Sequence, residues 1–225
     1  MSNNTFTLSP ADLNAILLND SNYINAKGAK RYHPGEYAAA VEYYHLAAAM
    51  GNVNAISNLG YCYLYGREIE QNLPLAMAYF HVAAMKENVD AAYKLGDIYG
   101  SDKWGVKDKE LAVYFYRMAA SYLIGENWEE NVVVAWCTQL QQYPSLCYAL
   151  GREMSHGGDM NTDLSVAYQF LKHAEIGYRK ELNNGFTPYE TCYSGVLKLL
   201  ADTQFDEVRV KIDPMFDDDD EGIDD

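Results

Sequence analysis

Small and large apolar residues alternate along this chain with a fixed spacing. Ala40, Tyr43, Tyr44, Ala47 and Ala48 recur 36 residues later as Ala76, Tyr79, Phe80, Ala83 and Ala84, and 36 later again as Ala112, Phe115, Tyr116, Ala119 and Ala120. A fourth set, Ala167, Phe170, Leu171 and Ala174, follows an interruption, with Glu175 where the last small residue would stand. Offsets of 0, +3, +4, +7 and +8 share one stripe of an α-helix, so each set predicts a helix with one apolar face. A second helix precedes each. Leu59-Gly60, Leu95-Gly96 and Leu150-Gly151 stand 17 residues before Ala76, Ala112 and Ala167, and Tyr63, Tyr99 and Met154 follow four residues after each Leu. Asn72, Asp108 and Asp163 sit four residues before each Ala, where a short polar side chain accepts a backbone N–H and caps the next helix. The repeating unit is helix A, a polar loop, then helix B. Helices are predicted near 36–50, 54–66, 73–86, 90–100, 109–122, 128–142, 145–156 and 163–182.

The interruption lengthens one period. Leu95 to Leu150 is 55 residues, 19 more than the repeat, and residues 127–142 read as one extra helix ended before Pro144. Ser9-Pro10-Ala11-Asp12 has an N-cap, a Pro at the first helical position and an acid at the third, opening a short helix to about Asn19. Thr187-Pro188-Tyr189-Glu190 does the same for a last helix to about Thr203. These divide the chain into N-terminal capping helices (1–35), the repeat array (36–178), a C-terminal capping helix (179–204) and a remainder (205–225). In that remainder Val208, Val210 and Ile212 alternate with charges, which predicts a short extended stretch before an acidic tail.

The segment Ala55-x-x-x-Leu59-Gly60-x-x-Tyr63-x-x-Gly66-x-x-Ile69-x-x-Asn72-x-x-x-Ala76-x-x-Tyr79-Phe80-x-x-Ala83-Ala84 resembles the Sel1-like repeat family, relatives of the tetratricopeptide repeats. Glu68 departs from that pattern where a second loop Gly is usual, Asn72 where Asp is usual, and Asp102 where the next copy usually has its first Gly. The resemblance implies an all-α fold: a right-handed α–α solenoid of Sel1-like helix pairs, with capping helices and a disordered acidic tail. It further implies protein partners and a concave groove lined by the A helices. With Leu59 turned inward, Asn54, Asn58, Tyr61 and Tyr65 point away from the core at i, i+4, i+7 and i+11. Their equivalents are Asp90, Lys94, Asp97 and Ser101, then Ser145, Ala149, Arg152 and His156. These are the expected partner-binding residues, and exposed tyrosines suit the role because they bury much area at low rotamer cost. On helix B, offset +5 reads His45, His81, Arg117 and Lys172, a candidate cationic row predicted to face solvent. Chance and simple solvation account for that row better than a binding role does.

Composition narrows the partner. The 225 residues carry 17 bases against 32 acids, a net charge of −15, which argues against nucleic-acid binding. Eight of the acids fall between Asp213 and Asp225, so the body alone is close to −7. The N-terminus has neither a basic nor an apolar leader region, and the longest apolar runs are far too short for a bilayer, so a soluble, cytoplasmic protein with no membrane contact is expected. Cys62, Cys137, Cys147 and Cys192 show no CxxC spacing, and the five histidines show no metal spacing, so neither a disulfide framework nor a metal is expected. Asp217-x-Asp219-x-Glu221-Gly222 imitates half a Ca²⁺ loop, but the chain ends before the closing Glu. GxSxG, HExxH, Walker A and GxGxxG are all absent, so no enzyme, cofactor or small-molecule substrate is expected. The function expected is a non-enzymatic interaction module binding a protein or peptide in the groove. Lys94 and Arg152, beside Asp90 and Asp97, are too few cations to clamp a peptide carboxylate. The alternative is an immunity or inhibitor protein that neutralises a basic toxin or enzyme by charge complementarity.

Overall fold

Short polar residues at helix starts set the element boundaries. The computed structural model describes residues 6–33, 35–67, 69–125, 137–156 and 164–216, and among these every regular element is helical. Ser9 caps α1 (Pro10–Leu17) in a complete capping box with Asp12, and Asp20 caps α2 (Ser21–Tyr32). After α3 (Tyr37–Ala49), Asn52 caps α4 (Val53–Tyr65), Asn72 caps α5 (Leu73–Ala84), Asn88 caps α6 (Val89–Gly100) and Asp108 caps α7 (Lys109–Ile124). Each of these Asn and Asp side chains accepts the backbone N–H three residues on, which a helix start otherwise leaves unpaired. Gly66 ends α4 at φ 64°, a left-handed conformation that favours glycine. Asp163, expected as the cap of the last repeat helix, lies outside the described residues.

The chain divides into two units, Met1–Lys107 and Asp108–Asp225. In the first, α2 packs on α3 and α4 on α5 as antiparallel A/B pairs, α1 packs on α2, and α6 packs on α5. The predicted stripe is the core: Ala40, Ala47, Ala76, Ala83 and Phe80 are all fully buried. The Leu-Gly pairs explain how. Phe80 lies so close on Gly60 that a Cβ there would sit 2.7 Å from its ring, and Tyr44 sits on Gly28 at 2.6 Å in the same sense. Glycine on helix A makes the hole into which the large residue of helix B fits.

In the second unit α8 (Pro144–Ser155) pairs with α9 (Leu164–Asn183), and Leu171 meets Gly151 in the same arrangement. Here α7 packs on α8, while α10 (Glu190–Leu200) and α11 (Asp206–Ile212) pack on α9.

Two expectations are corrected. Residues 205–216 are helical, not extended: Phe205, Ile212 and Phe216 are buried and Val208 half-buried, while Val210 is 78% exposed, a spacing of three and four instead of two. The apparent alternation of Val208, Val210 and Ile212 came from one outward-facing valine. Of the extra helix expected at 127–142, residues 127–136 lie outside the described residues, and Thr138–Gln142 is a 3₁₀ turn. The acidic tail from Asp217 onward, with its imitation Ca²⁺ loop, also lies outside them.

The phase of helix B makes a direct prediction. Ala83 is fully buried and Ala78, on the same helix, is exposed. Ala83→Leu is expected to overpack the core and cost about 1–3 kcal/mol, with Ala78→Leu nearly neutral. Urea denaturation of the two variants reads this, and equal losses would contradict the observed phase.

Candidate functional site

In the Met1–Lys107 unit the A helices α4 and α6 carry the outward-facing residues expected to bind a partner. Asn54 is exposed, Asn58 and Tyr61 are half-buried, and Tyr65 is 43% exposed. Tyr61 and Tyr65 stack with ring centroids 6.3 Å apart and 15° between planes, and Tyr61 meets Phe80 edge-on at 5.0 Å. On the next A helix, Lys94 extends over Tyr61, its Nζ 5.6 Å from the ring centroid, and pairs with Asp97 at 2.8 Å. Arg67 places its guanidinium 5.1 Å from the Tyr37 ring and 5.9 Å from the Tyr65 ring. The result is a surface of tyrosine rings with cations on their faces, worth about 0.5–1 kcal/mol per exposed contact and fixing the rings in place.

Other predicted site residues have structural duties. Asn54 Oδ1 accepts from Asn88 Nδ2 (2.9 Å), and Asn58 Nδ2 donates to Asn25 Oδ1 (3.1 Å). Asp90 is exposed in the first turn of α6, and Ser101 caps the following turn by accepting from the Lys103 N–H. Arg152 and His156 belong to the other unit. There Arg152 pairs with Glu153 at 3.1 Å, and His156 Nδ1 donates to the Arg152 carbonyl at 2.7 Å. The equivalents Ser145 and Ala149 are not outward-facing: Ser145 accepts from the Tyr178 hydroxyl and Ala149 is buried.

The expected solvent-facing cationic row is also corrected. His45, His81, Arg117 and Lys172 are all half-buried. His45 lies edge-on to Tyr63, and burial lowers the pKa of His81 from its usual value. Lys172 pairs with Glu175 at 3.6 Å and with Asp213 at 3.8 Å, under the turn that follows α11. A single apolar stripe points these positions outward, but a helix inside an array is covered on more than one side.

A family model for the Sel1 repeat matches residues 23–52, 53–88, 89–121 and 144–174, more than half of the chain. The chain belongs to the Sel1 repeat family. Its fold is shared with the crystal structure of a Sel1 repeat protein from Oxalobacter formigenes, at 21% identity and a TM-score of 0.55, over 78% of this chain and 64% of that one. It is also similar to c5321, a protective antigen present in uropathogenic Escherichia coli strains and displaying an SLR fold. That match has 25% identity and a TM-score of 0.51, over 70% of this chain and 32% of that one. The chain thus spans less than two thirds of the length of either. No curated protein sequence matches it. Sel1 repeats are in general non-catalytic protein–protein interaction scaffolds. Among the described residues, no cluster of His, Cys, Asp or Glu is arranged to hold a metal ion, and no helix is long and apolar enough to cross a membrane.

The first Sel1 repeat begins at residue 23, so α2 and α3 form its helix pair. Successive Sel1 repeats are joined by a clasp that sequence reasoning missed. Asn52, the cap of α4, donates through Nδ2 to Asn22 Oδ1 (2.8 Å), and Asn88, the cap of α6, does the same to Asn54 (2.9 Å). Each cap side chain thus closes its own helix with Oδ1 and holds the second residue of the preceding A helix with Nδ2. The signal was present: Asn52 and Asn88 are one period apart, three residues before Ala55 and Ala91. Asp12, legible in the sequence only as part of the first helix cap, is a fully buried carboxylate. It accepts from Ser9 N–H (2.9 Å), Ser9 Oγ (2.7 Å) and the Tyr43 hydroxyl (3.0 Å), with Lys27 Nζ at 3.5 Å.

Proposed function

We propose that this chain binds a protein partner through the A-helix face of α2, α4 and α6, without catalysis. The observation that carries this reading is the stack of Tyr61 and Tyr65 beside Lys94, with Tyr65 43% exposed. Tyrosines held rigid before binding lose little entropy on contact, and tyrosine and arginine side chains are enriched among residues that dominate interface energies. The pairs Lys94–Asp97 and Arg31–Glu36 leave the face close to neutral, so it fits a partner chosen by shape and aromatic contact rather than by charge.

The test is capture of binding proteins by the intact chain and by a Tyr65→Ala/Lys94→Ala variant, with Tyr114→Ala, exposed on α7, as control. A protein held by the parent and the control but bound at least about tenfold more weakly by the double variant supports the reading. Equal retention by all three overturns it. The net charge of −15 favours a second reading, inhibition of a basic protein. In that case the captured protein is basic, its affinity falls steeply with salt, and the tyrosine variant leaves it unchanged.

A further inference from the structure

One cation on the same face is balanced differently from its neighbours. Lys94 pairs with Asp97 at 2.8 Å and Arg31 with Glu36 at 2.6 Å. Among the described residues, Arg67 has no carboxylate within ion-pair reach. Aromatic rings hold it instead. Its guanidinium lies over Tyr37 and Tyr65, 5.1 and 5.9 Å from the ring centroids, with the Tyr32 hydroxyl beside it. Arg67 is nevertheless exposed. Ring faces attract the flat of a guanidinium and leave the N–H donors at its edge for other bonds. In the free chain those donors face water. Docking removes that water, because a partner that covers the open ring of Tyr65 also covers the guanidinium lying over it. A charge taken out of water without a counter-ion is far more costly than a neutral group.

We infer that Arg67 is the charge-reading residue of the binding face, and that the partner sets one aspartate or glutamate side chain against it. The inference rests on the reading of the A-helix face as the partner-binding surface. A carboxylate meets the fork of a guanidinium with two parallel N–H···O bonds and supplies the missing counter-charge. An apolar residue at that point would leave the guanidinium dry and unpaired. A lysine or arginine would meet Arg67 and Lys94 with like charge. A chain-terminal carboxylate is disfavoured because one cation is too few to clamp it, and Lys94 is already engaged by Asp97. A single ion pair on an otherwise balanced face fixes the register of the partner, while the tyrosine rings supply most of the contact.

The experiment is selection of a random peptide library on the intact chain, each peptide fused through its C-terminus so that only side chains supply carboxylates. Peptides that bind the parent but not Tyr65→Ala/Lys94→Ala are ligands of this face. Each is expected to carry an Asp or Glu whose change to the matching amide weakens binding to the parent about tenfold or more. Arg67→Gln, at an exposed position, is expected to keep the melting temperature and to weaken the unaltered peptide by a similar factor. Combining the two changes is then expected to cost little beyond either alone, because each removes the same pair. The peptide substitution needs no variant protein, so it reads the pair even where Arg67→Gln disturbs the fold. Face-dependent peptides that need no acid, or losses that multiply in the combination, overturn the inference and leave the binding face standing. A library that yields no peptide lost on Tyr65→Ala/Lys94→Ala removes the face and the inference together.

Discussion

Phe80→Ala is expected to cost the Met1–Lys107 unit about 3–5 kcal/mol, the largest loss from any single side chain in its repeat core. Phe80 is fully buried, touches Gly60 across the helix pair and meets Tyr61 edge-on, so its removal leaves a cavity that α4 and α5 would have to close. Gly60→Ala tests the same contact from the other side. An alanine in mid-helix gains about 1 kcal/mol in propensity over glycine. Against this, its methyl would lie 2.7–2.9 Å from three atoms of the Phe80 ring, and that ring is held by Tyr61. Overpacking of this kind costs about 1–3 kcal/mol, so a net loss is expected. In the double variant the methyl enters the space the ring vacated, and Gly60→Ala becomes neutral or stabilising. A denaturant-unfolding cycle over the four proteins measures this coupling. Additive losses would show that the two residues do not share one space.

Asp12→Ala is expected to cost about 2 kcal/mol at neutral pH and to loosen α1 from α2 and α3. Burial pushes the Asp12 carboxyl up, but hydrogen bonds from Ser9 and Tyr43 and the charge of Lys27 more than offset it and lower its pKa from 3.8 to about 2. The folded state therefore holds the ionised form more tightly than the unfolded chain does, by about 2 kcal/mol. The sign follows from a depressed value. The contribution is complete above pH of about 4 and is lost as the pH falls through about 2. Stability of the parent and of Asp12→Ala, measured by urea unfolding from pH 7 downward, should converge across that window. A gap that stays constant to pH 2 would mean the carboxylate charge is not what holds α1.

The chemistry of this chain shows how far pattern carries. The 36-residue period, the A/B helix alternation, the caps at Asn72 and Asp108, the capping box at Ser9 and Asp12 and the buried alanine stripe were all legible, because each depends on residues within one or two helical turns. Ser9 and Asp12 could be read as a cap. That Tyr43 and Lys27 also bind Asp12 could not, since both arrive from other helices. Asn54 was legible as outward-facing, yet its amide is already engaged by Asn88 of the next repeat.

Sequence alone determined that this protein is an array of helix pairs with a tyrosine-bearing face, because repeat period and helical phase are local properties that recur in register. Tertiary structure decided which outward positions are open. It joined Asn88 to Asn54, covered Lys172 with Asp213 and turned residues 206–212 into a helix docked on α9. Each of these depends on what a neighbouring helix brings within about 3–6 Å, a distance relation between segments far apart in the chain that no periodicity in one segment encodes.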